Sequence, residues 1–175
     1  MAKNVIISVY DKTDLEIIAK FLIKKKFTIY STGGTSDFLK KNNIPHIEIS
    51  KYTKQKEILG GRVKTLHRKI FGGLLGTQSQ EHQKELQSEK IVNFDMLIIN
   101  LYPFEETIHK TKKSEEIIEM IDIGGHSLIR AAIKNYTKTI PLVSPTDYKQ
   151  IIRKLPNSNI ERKICNKSIT THYTL

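Results

Sequence analysis

Met96-Leu97-Ile98-Ile99 is the most strand-like run in the chain, four apolar residues with no polar alternation, the pattern of a β-strand covered on both faces. Such a strand belongs to a sheet with helices on either side, because parallel strands need long crossovers and those crossovers are usually helical. The flanking sequence alternates accordingly. Asn4 to Val9 is a short β-branched run, followed at helical spacing by Leu15, Ile18, Phe21 and Leu22, with Asp11 or Thr13 as the expected cap. Phe27 to Tyr30 reads as a second strand, Ser36 to Lys41 as a helix with Phe38 and Leu39 inward, and Pro45 to Ile49 as a third strand. Downstream, Gln78 to Lys90 reads as an exposed helix and Ser114 to Met120 as another that Gly124-Gly125 breaks. Ser127 to Lys134 starts a further helix with Leu128, Ile129 and Ala132 on one side. Ile140 to Val143 is a last strand, and Asp147 to Leu155 a helix introduced by Ser144, Pro145 and Thr146. The expected fold is α/β: a three-layer, mostly parallel, Rossmann-like sheet with helices on both faces.

A chain of 175 residues fits one core, and 38% hydrophobic with 27% charged residues is a globular balance without a disordered tail. The net charge of +11 favours an anionic partner. Its lysines fall in runs such as Lys24-Lys25-Lys26 and Lys112-Lys113 with few aromatics between them, the pattern of a solvated basic surface and not of a base-stacking groove, so no nucleic-acid partner is expected. The run from Val5 to Val9 is shorter than the roughly 7 to 15 residues of a signal-peptide core, and no stretch approaches a membrane span. A cytoplasmic protein is expected, with no membrane contact. Cys165 stands alone and offers neither a disulfide nor a zinc site. No metal or cofactor is expected.

In an open parallel sheet, ligands bind beyond the carboxyl ends of the strands, so the residues that follow each strand carry the chemistry. Ser31-Thr32-Gly33-Gly34-Thr35 joins a strand to a helix, where glycines let backbone N–H groups approach an anion and hydroxyls from Ser31 and Thr35 add donors to phosphate oxygens. Its other reading is an ordinary turn capped by Thr35. Arg62 and Lys64 alternate in Arg62-Val63-Lys64-Thr65, which in an extended segment points both to one side, to grip a phosphate or polarise a carbonyl, or simply to meet solvent. Asn100-Leu101-Tyr102-Pro103-Phe104 follows a strand directly, so Tyr102 can donate a hydrogen bond or proton there, or pack at a proline turn. Ile121-Asp122-Ile123-Gly124-Gly125 sets a carboxylate between isoleucines ahead of a helix, and Lys134 further along that helix is placed to reach Asp122 or the ligand, or to form a structural salt bridge.

Taken in order, Ser31 to Thr35, Gly61 to His67, Asn100 to Phe104, Ile121 to Gly125 and Ala131-Ala132-Ile133-Lys134-Asn135 resemble the N-terminal IMP cyclohydrolase domain of the bifunctional purine-biosynthesis protein, which also carries AICAR transformylase. The resemblance runs from about Asn4 to Leu155. It implies a methylglyoxal-synthase-like fold over residues 1–155, with 156–175 as a helical extension toward a transformylase domain for which this chain has no room. The chain is then either a fragment or a stand-alone cyclohydrolase.

The implied activity is closure of the formylated AICAR ribotide to IMP with loss of water, without a cofactor and with a homodimer as one possible state. By resemblance, Ser8, Lys12, Ser31, Gly33, Gly34 and Thr35 hold the ribose phosphate, and Arg62, Lys64, Thr65, Asn100 and Leu101 surround the base. Thr32, Ile123, Gly124 and Gly125 complete the implied substrate-binding set, and Lys64, Tyr102, Asp122 and Lys134 match the catalytic positions. The sequence departs from the family pattern at Tyr10, where serine is usual, Asp14 (glycine), Arg68 (proline), Phe71 (histidine) and His126 (proline or a small residue); Tyr10, Arg68 and His126 are expected to border the site. The competing functions are a phosphate-sensing regulatory domain of the same fold without catalysis, methylglyoxal synthase, and a small basic RNA-binding protein. Sensing needs only the phosphate site, so the joint presence of Lys64, Tyr102, Asp122 and Lys134 favours an enzyme.

Overall fold

The computed structural model describes residues 3–154; the expected extension over 156–175 and Cys165 lie outside them. The strands are β1 (Lys3–Val9), β2 (Phe27–Ser31), β3 (Ile47–Glu48), β4 (Met96–Asn100) and β5 (Ile140–Leu142). They form one sheet in the order β3-β2-β1-β4-β5, every pair parallel. The helices are α1 (Leu15–Lys24), α2 (Gly33–Lys41), α3 (Ile49–Thr53), α4 (Arg68–Leu75), α5 (Gln80–Ser88), α6 (Phe104–Lys110), α7 (Ser114–Glu119), α8 (Ile123–Lys134) and α9 (Tyr148–Lys154), with single 3₁₀ turns at Leu59–Gly61 and Pro145–Asp147.

Strand alternation divides the interior into two layers. Val5, Ile7 and Val9 of β1 and Met96 and Ile98 of β4 pack with Leu15, Ile18 and Leu22 of α1, Leu39 of α2, and Tyr148 and Ile151 of α9. Ile6, Leu97 and Ile99 face the opposite way, against Ile49 of α3, Ile70 and Leu74 of α4, and Leu128, Ile129 and Ala132 of α8. Met96 to Ile99 are all buried because β4 lies inside the sheet, hydrogen-bonded to β1 and β5 and covered by both layers. The three-layer parallel α/β architecture expected from that run is the one observed. The lysines at 24–26, 112 and 113 are exposed, in keeping with a solvated surface.

The expected cap of α1 is different in the structure. Its N-cap is Asp14, in the left-handed region at φ 57° and without a side-chain cap bond. Asp11 instead accepts the Thr13 N–H (2.9 Å) and hydroxyl (2.7 Å), bending the loop back on itself. The Gly124-Gly125 pair does not break a helix either; both residues lie in the first turn of α8.

α4 starts at Arg68 because His67 caps it, Nδ1 accepting the Lys69 N–H at 3.0 Å. Partial burial, and then the neighbouring Lys69 and Arg68 charges, hold the His67 imidazole below its usual 6.5. A lowered histidine contributes stability that is complete above the unfolded value and is lost as pH falls through the folded one. The melting temperature is therefore expected to fall as the pH drops below 6.5, since protonation removes the lone pair that caps α4. His67→Asn keeps a capping oxygen that does not titrate, and should flatten this acid limb in a series of thermal melts. Parallel acid limbs in the two proteins would clear His67 of the effect.

The chain leaves β1 for β2 and β3 on one side of the sheet and returns to β4 and β5 on the other. The order of strands thus reverses between β1 and β4, and the crevice beyond their carboxyl ends is where such a sheet takes its ligand.

Candidate functional site

A cavity of about 440 Å³ opens at that crevice. The segment after β1 supplies Ser8, Val9, Tyr10 and Lys12, the start of α2 supplies Thr32, Gly34 and Thr35, and the segment after β4 supplies Asn100 and Tyr102. Gly60, Gly61, Arg62, Lys64 and Thr65 form a second wall, and Ile118 and Glu119 of α7 with Ile121 to Gly125 at the start of α8 form the third. Fourteen of the residues expected from the sequence line this one cavity: Ser8, Lys12, Thr32, Gly34, Thr35, Arg62, Lys64, Thr65, Asn100, Tyr102, Asp122, Ile123, Gly124 and Gly125.

The start of α2 is built as an anion cradle. The first N–H groups of a helix have no carbonyl behind them, and the Thr32 side chain, at the N-cap, does not take one. The N–H groups of Gly33, Gly34 and Thr35 therefore face outward with the positive end of the helix dipole behind them. Gly33 sits at φ 54°, and a Cβ there would lie 3.0 Å from Lys64 Nζ, so the glycine is what lets the lysine ammonium approach this helix end. Lys12 adds a second cation; its Nζ donates to Tyr10 O at 3.0 Å and Val9 O at 3.3 Å, which leaves one of its three protons for a ligand.

The hydroxyls do not act as expected. Ser31 Oγ donates to Ile7 O at 2.8 Å, and Thr35 Oγ1 donates to Val9 O at 2.9 Å while accepting the Val9 N–H at 3.0 Å. Their protons pin β2 and α2 to β1, and neither is available to phosphate; nor does Thr35 cap the helix. Ser31 and Gly33 line an adjoining cavity of about 370 Å³ instead.

Arg62 to Thr65 is a series of turns and not an extended segment, with Lys64 N bonded to Gly61 O at 3.2 Å. The two cations are accordingly separated. Lys64 is half-buried toward α2, whereas Arg62 is exposed and forms an ion pair with Glu119 of α7 across the cavity mouth. An exposed pair of this kind adds little stability; its effect is to tie two walls together.

Asn100 is occupied as a clamp. Its Oδ1 accepts the N–H groups of Tyr10 (2.6 Å) and Asp11 (2.8 Å), and its Nδ2 donates to Asp11 O at 2.9 Å, which fixes the loop carrying Lys12. Tyr102, half-buried on the same wall, meets Tyr10 edge to face with ring centroids 5.6 Å apart. Tyr10 does border the site, then, and holds the Tyr102 ring.

Asp122 is the N-cap of α8, Oδ1 accepting the Gly125 N–H at 2.6 Å. A side chain at 125 would collide with this carboxylate, so Gly125 is required by the close approach. The flanking Ile121 and Ile123 are largely exposed and line the cavity mouth, so the carboxylate is half-buried at a rim and not enclosed in an apolar pocket. Lys134 does not join it. It is exposed at the last residue of α8, about 18 Å along the helix axis from Asp122, and does not line the cavity. Leu101 also turns away, packing against the core layer under α4 and α8. Of the other departures from the family pattern, Arg68 pairs with Glu89 and Phe71 packs on the core; neither Arg68 nor His126 lines the cavity.

The residues missed are Val9, Gly61 and Ile121, immediate neighbours of expected ones in sequence, Gly60, Ile118 and Glu119, which lie two to four residues from one, and Glu57, whose Oε1 accepts the Thr32 hydroxyl at 2.5 Å. Among the described residues no group of three or more histidine, cysteine, aspartate or glutamate side chains could hold a metal ion, and no helix is long and apolar enough to cross a membrane.

By fold and by site, this is a parallel α/β domain with a helix N-terminus at the switch point of its sheet, the class that takes anionic ligands there. Residues 14–127 match the model of the MGS-like domain, and the chain belongs to that family. It is 48% identical over 158 residues to the bifunctional purine biosynthesis protein PurH of Buchnera aphidicola subsp. Schizaphis graminum, covering 90% of this chain and 30% of that protein. It is 44% identical to PurH of Fusobacterium nucleatum (91% and 32% covered) and 43% identical to PurH of Enterococcus faecalis (97% and 33%). The chain spans about a third of the length of these relatives. Among solved structures, the crystal structure of ForH superposes with a TM-score of 0.84 over 98% of this chain and 92% of that one, at 24% identity, a likeness of fold.

Proposed function

We propose that the chain is an IMP cyclohydrolase, closing the formylated AICAR ribotide to IMP with release of water. The observation that carries this reading is the meeting of Lys64, Tyr102 and Asp122 in one cavity with the α2 anion cradle, in a chain similar to PurH. The ribotide phosphate sits on the N–H groups at the start of α2, with Lys12 and Ser8 beside it. The nucleophile is a carboxamide nitrogen, a weak one, and it attacks the formyl carbon of the neighbouring substituent. Asp122 accepts a carboxamide proton as the C–N bond forms. Lys64 and Tyr102 stabilise the charge that develops on the formyl oxygen and protonate it; the formamido nitrogen then gives up its proton to form the ring C=N as the C–O bond breaks, and the oxygen departs with two protons as water. Orientation supplies much of the remainder, since both reacting groups belong to one substrate and need only be held face to face.

The test is to mix the purified chain with the formylated AICAR ribotide and follow IMP by its ultraviolet absorbance, with Tyr102→Phe alongside and dihydroxyacetone phosphate as the control substrate. Formation of IMP that falls in Tyr102→Phe is the expected result. No turnover, with IMP still raising the melting temperature, would refute catalysis and leave a domain that senses a phosphorylated ligand. Turnover of dihydroxyacetone phosphate would make it a methylglyoxal synthase.

A further inference from the structure

The adjoining cavity of about 370 Å³ shares one wall with the main one, and Thr32 is that wall; Glu57 lines the adjoining cavity beside it. A threonine hydroxyl has one proton and two lone pairs to offer. At Thr32 the proton goes to Glu57 Oε1, at 2.5 Å. The carboxylate thus draws the Thr32 proton away from the main cavity, toward which only oxygen lone pairs remain. Glu57 reaches this position from an exposed loop that runs into Leu59, Gly60 and Gly61, all left-handed at φ 52°, 63° and 86°. Gly61 lies between the two charged side chains: a Cβ there would stand 3.4 Å from Glu57 Oε2 and 3.4 Å from Lys64 Cδ. The loop geometry therefore sets a carboxylate and an ammonium on either side of one glycine, the first against Thr32 and the second against Gly33.

We infer that Glu57 is a specificity-determining positioning residue, which by holding the Thr32 proton makes Thr32 an acceptor for a sugar hydroxyl of the ligand. The inference rests on the nucleotide reading above. The ribotide phosphate, a monoester dianion, has no proton to give and would face both the Thr32 lone pairs and the Glu57 charge, so it is turned toward the N–H groups of Gly34 and Thr35 and the free proton of Lys12. A ribose hydroxyl has a proton to give and finds in Thr32 an oxygen already oriented to accept it. Glu57 itself touches Thr32 and not the main cavity. It thereby sets the direction in which the nucleotide lies.

The experiment is calorimetric titration of the wild-type chain, Glu57→Ala, Glu57→Gln and Thr32→Val with IMP, its 2′-deoxy and 3′-deoxy forms, and methyl phosphate, a monoester dianion. The wild type is expected to bind IMP about tenfold more tightly than at least one deoxy form, the usual worth of one hydrogen bond to a neutral group. That preference should disappear in Thr32→Val and Glu57→Ala and persist in Glu57→Gln, whose amide oxygen still accepts the Thr32 proton. Methyl phosphate should bind Thr32→Val as it binds the wild type. The inference is overturned if the wild type treats IMP and both deoxy forms alike, if Glu57→Ala keeps the preference, or if Thr32→Val weakens methyl phosphate as much as IMP. IMP binding without ribose preference removes this inference alone; no IMP binding at all removes the nucleotide reading and this inference with it.

Discussion

Asp122→Asn is expected to lower the turnover of ring closure by about 10²- to 10⁴-fold, the usual contribution of a positioned acid or base, with nucleotide affinity and the fold unchanged. The fold should tolerate the change because Asp122 has a second role that asparagine fills equally well. As the N-cap of α8 it accepts the Gly125 N–H, and asparagine ranks with aspartate at that position. Asp122→Ala removes cap and carboxylate together and should cost about 1 kcal/mol of stability as well. The same chemistry can be disturbed from a residue with no functional group. A methyl at 125 would collide with the Asp122 carboxylate, so Gly125→Ala should displace it and reduce kcat although no titratable residue is replaced. Steady-state kcat and KM, with a thermal melt for each variant, separate these outcomes. A raised KM at wild-type kcat in Asp122→Asn would make the carboxylate a binding group and end its assignment as the base.

The sheet was legible in the sequence because its inner strands are continuous apolar runs and α1 and α8 are strongly amphipathic, signals that depend on burial. What was not legible lacked that signal or competed with it. α6, Phe104–Lys110, buries no residue at all, so no apolar stripe marks it. α4 buries Ile70 and Leu74 one turn apart, but Gly72 and Gly73 lower its helix propensity, and Gly73 is retained because Val92 O and the Phe94 ring press against the space a Cβ would need. Fourteen of the residues expected at the site line one cavity, and Ser31, Gly33, Leu101 and Lys134 do not. Sequence spacing told which side chains gather behind the strands, but not where each hydroxyl proton goes, and the protons of Ser31 and Thr35 go to β1. Reading Gly124-Gly125 as a break hid that α8 already starts at Ile123, so that Asp122 and Lys134 sit at opposite ends of one helix. A resemblance also carries information about backbone. The family's glycine at position 14 fits the structure, in which Asp14 occupies the left-handed region at φ 57°, a conformation glycine adopts without steric cost.

Lys64→Met is the second large effect expected, a fall of about 10²- to 10³-fold in kcat, the loss that follows removal of one donor aimed at a developing oxyanion. Two roles compete for this lysine, and its position allows both. Its ammonium lies over the start of α2, against Gly33, where a phosphate would bind, and the side chain also lines the cavity that holds Tyr102 and Asp122. A lysine that only grips phosphate interacts with substrate and transition state alike, so its loss raises KM and leaves kcat unchanged. A lysine that stabilises the oxyanion loses kcat. Arginine should not rescue it, because a guanidinium spreads its charge over a broad planar fork and cannot reproduce the compact ammonium held beside Gly33. Gly33→Ala probes the same contact from the other partner: the methyl presses on Nζ and the backbone is strained at φ 54°, so both kcat and stability should decline, by less than in Lys64→Met. Binding of inorganic phosphate to Lys64→Met, measured beside kcat and KM, then decides the role. Phosphate affinity near that of the wild type with kcat collapsed assigns the ammonium to the formyl oxygen, whereas lost phosphate affinity with kcat intact assigns it to the cradle and leaves Tyr102 as the donor to the oxyanion.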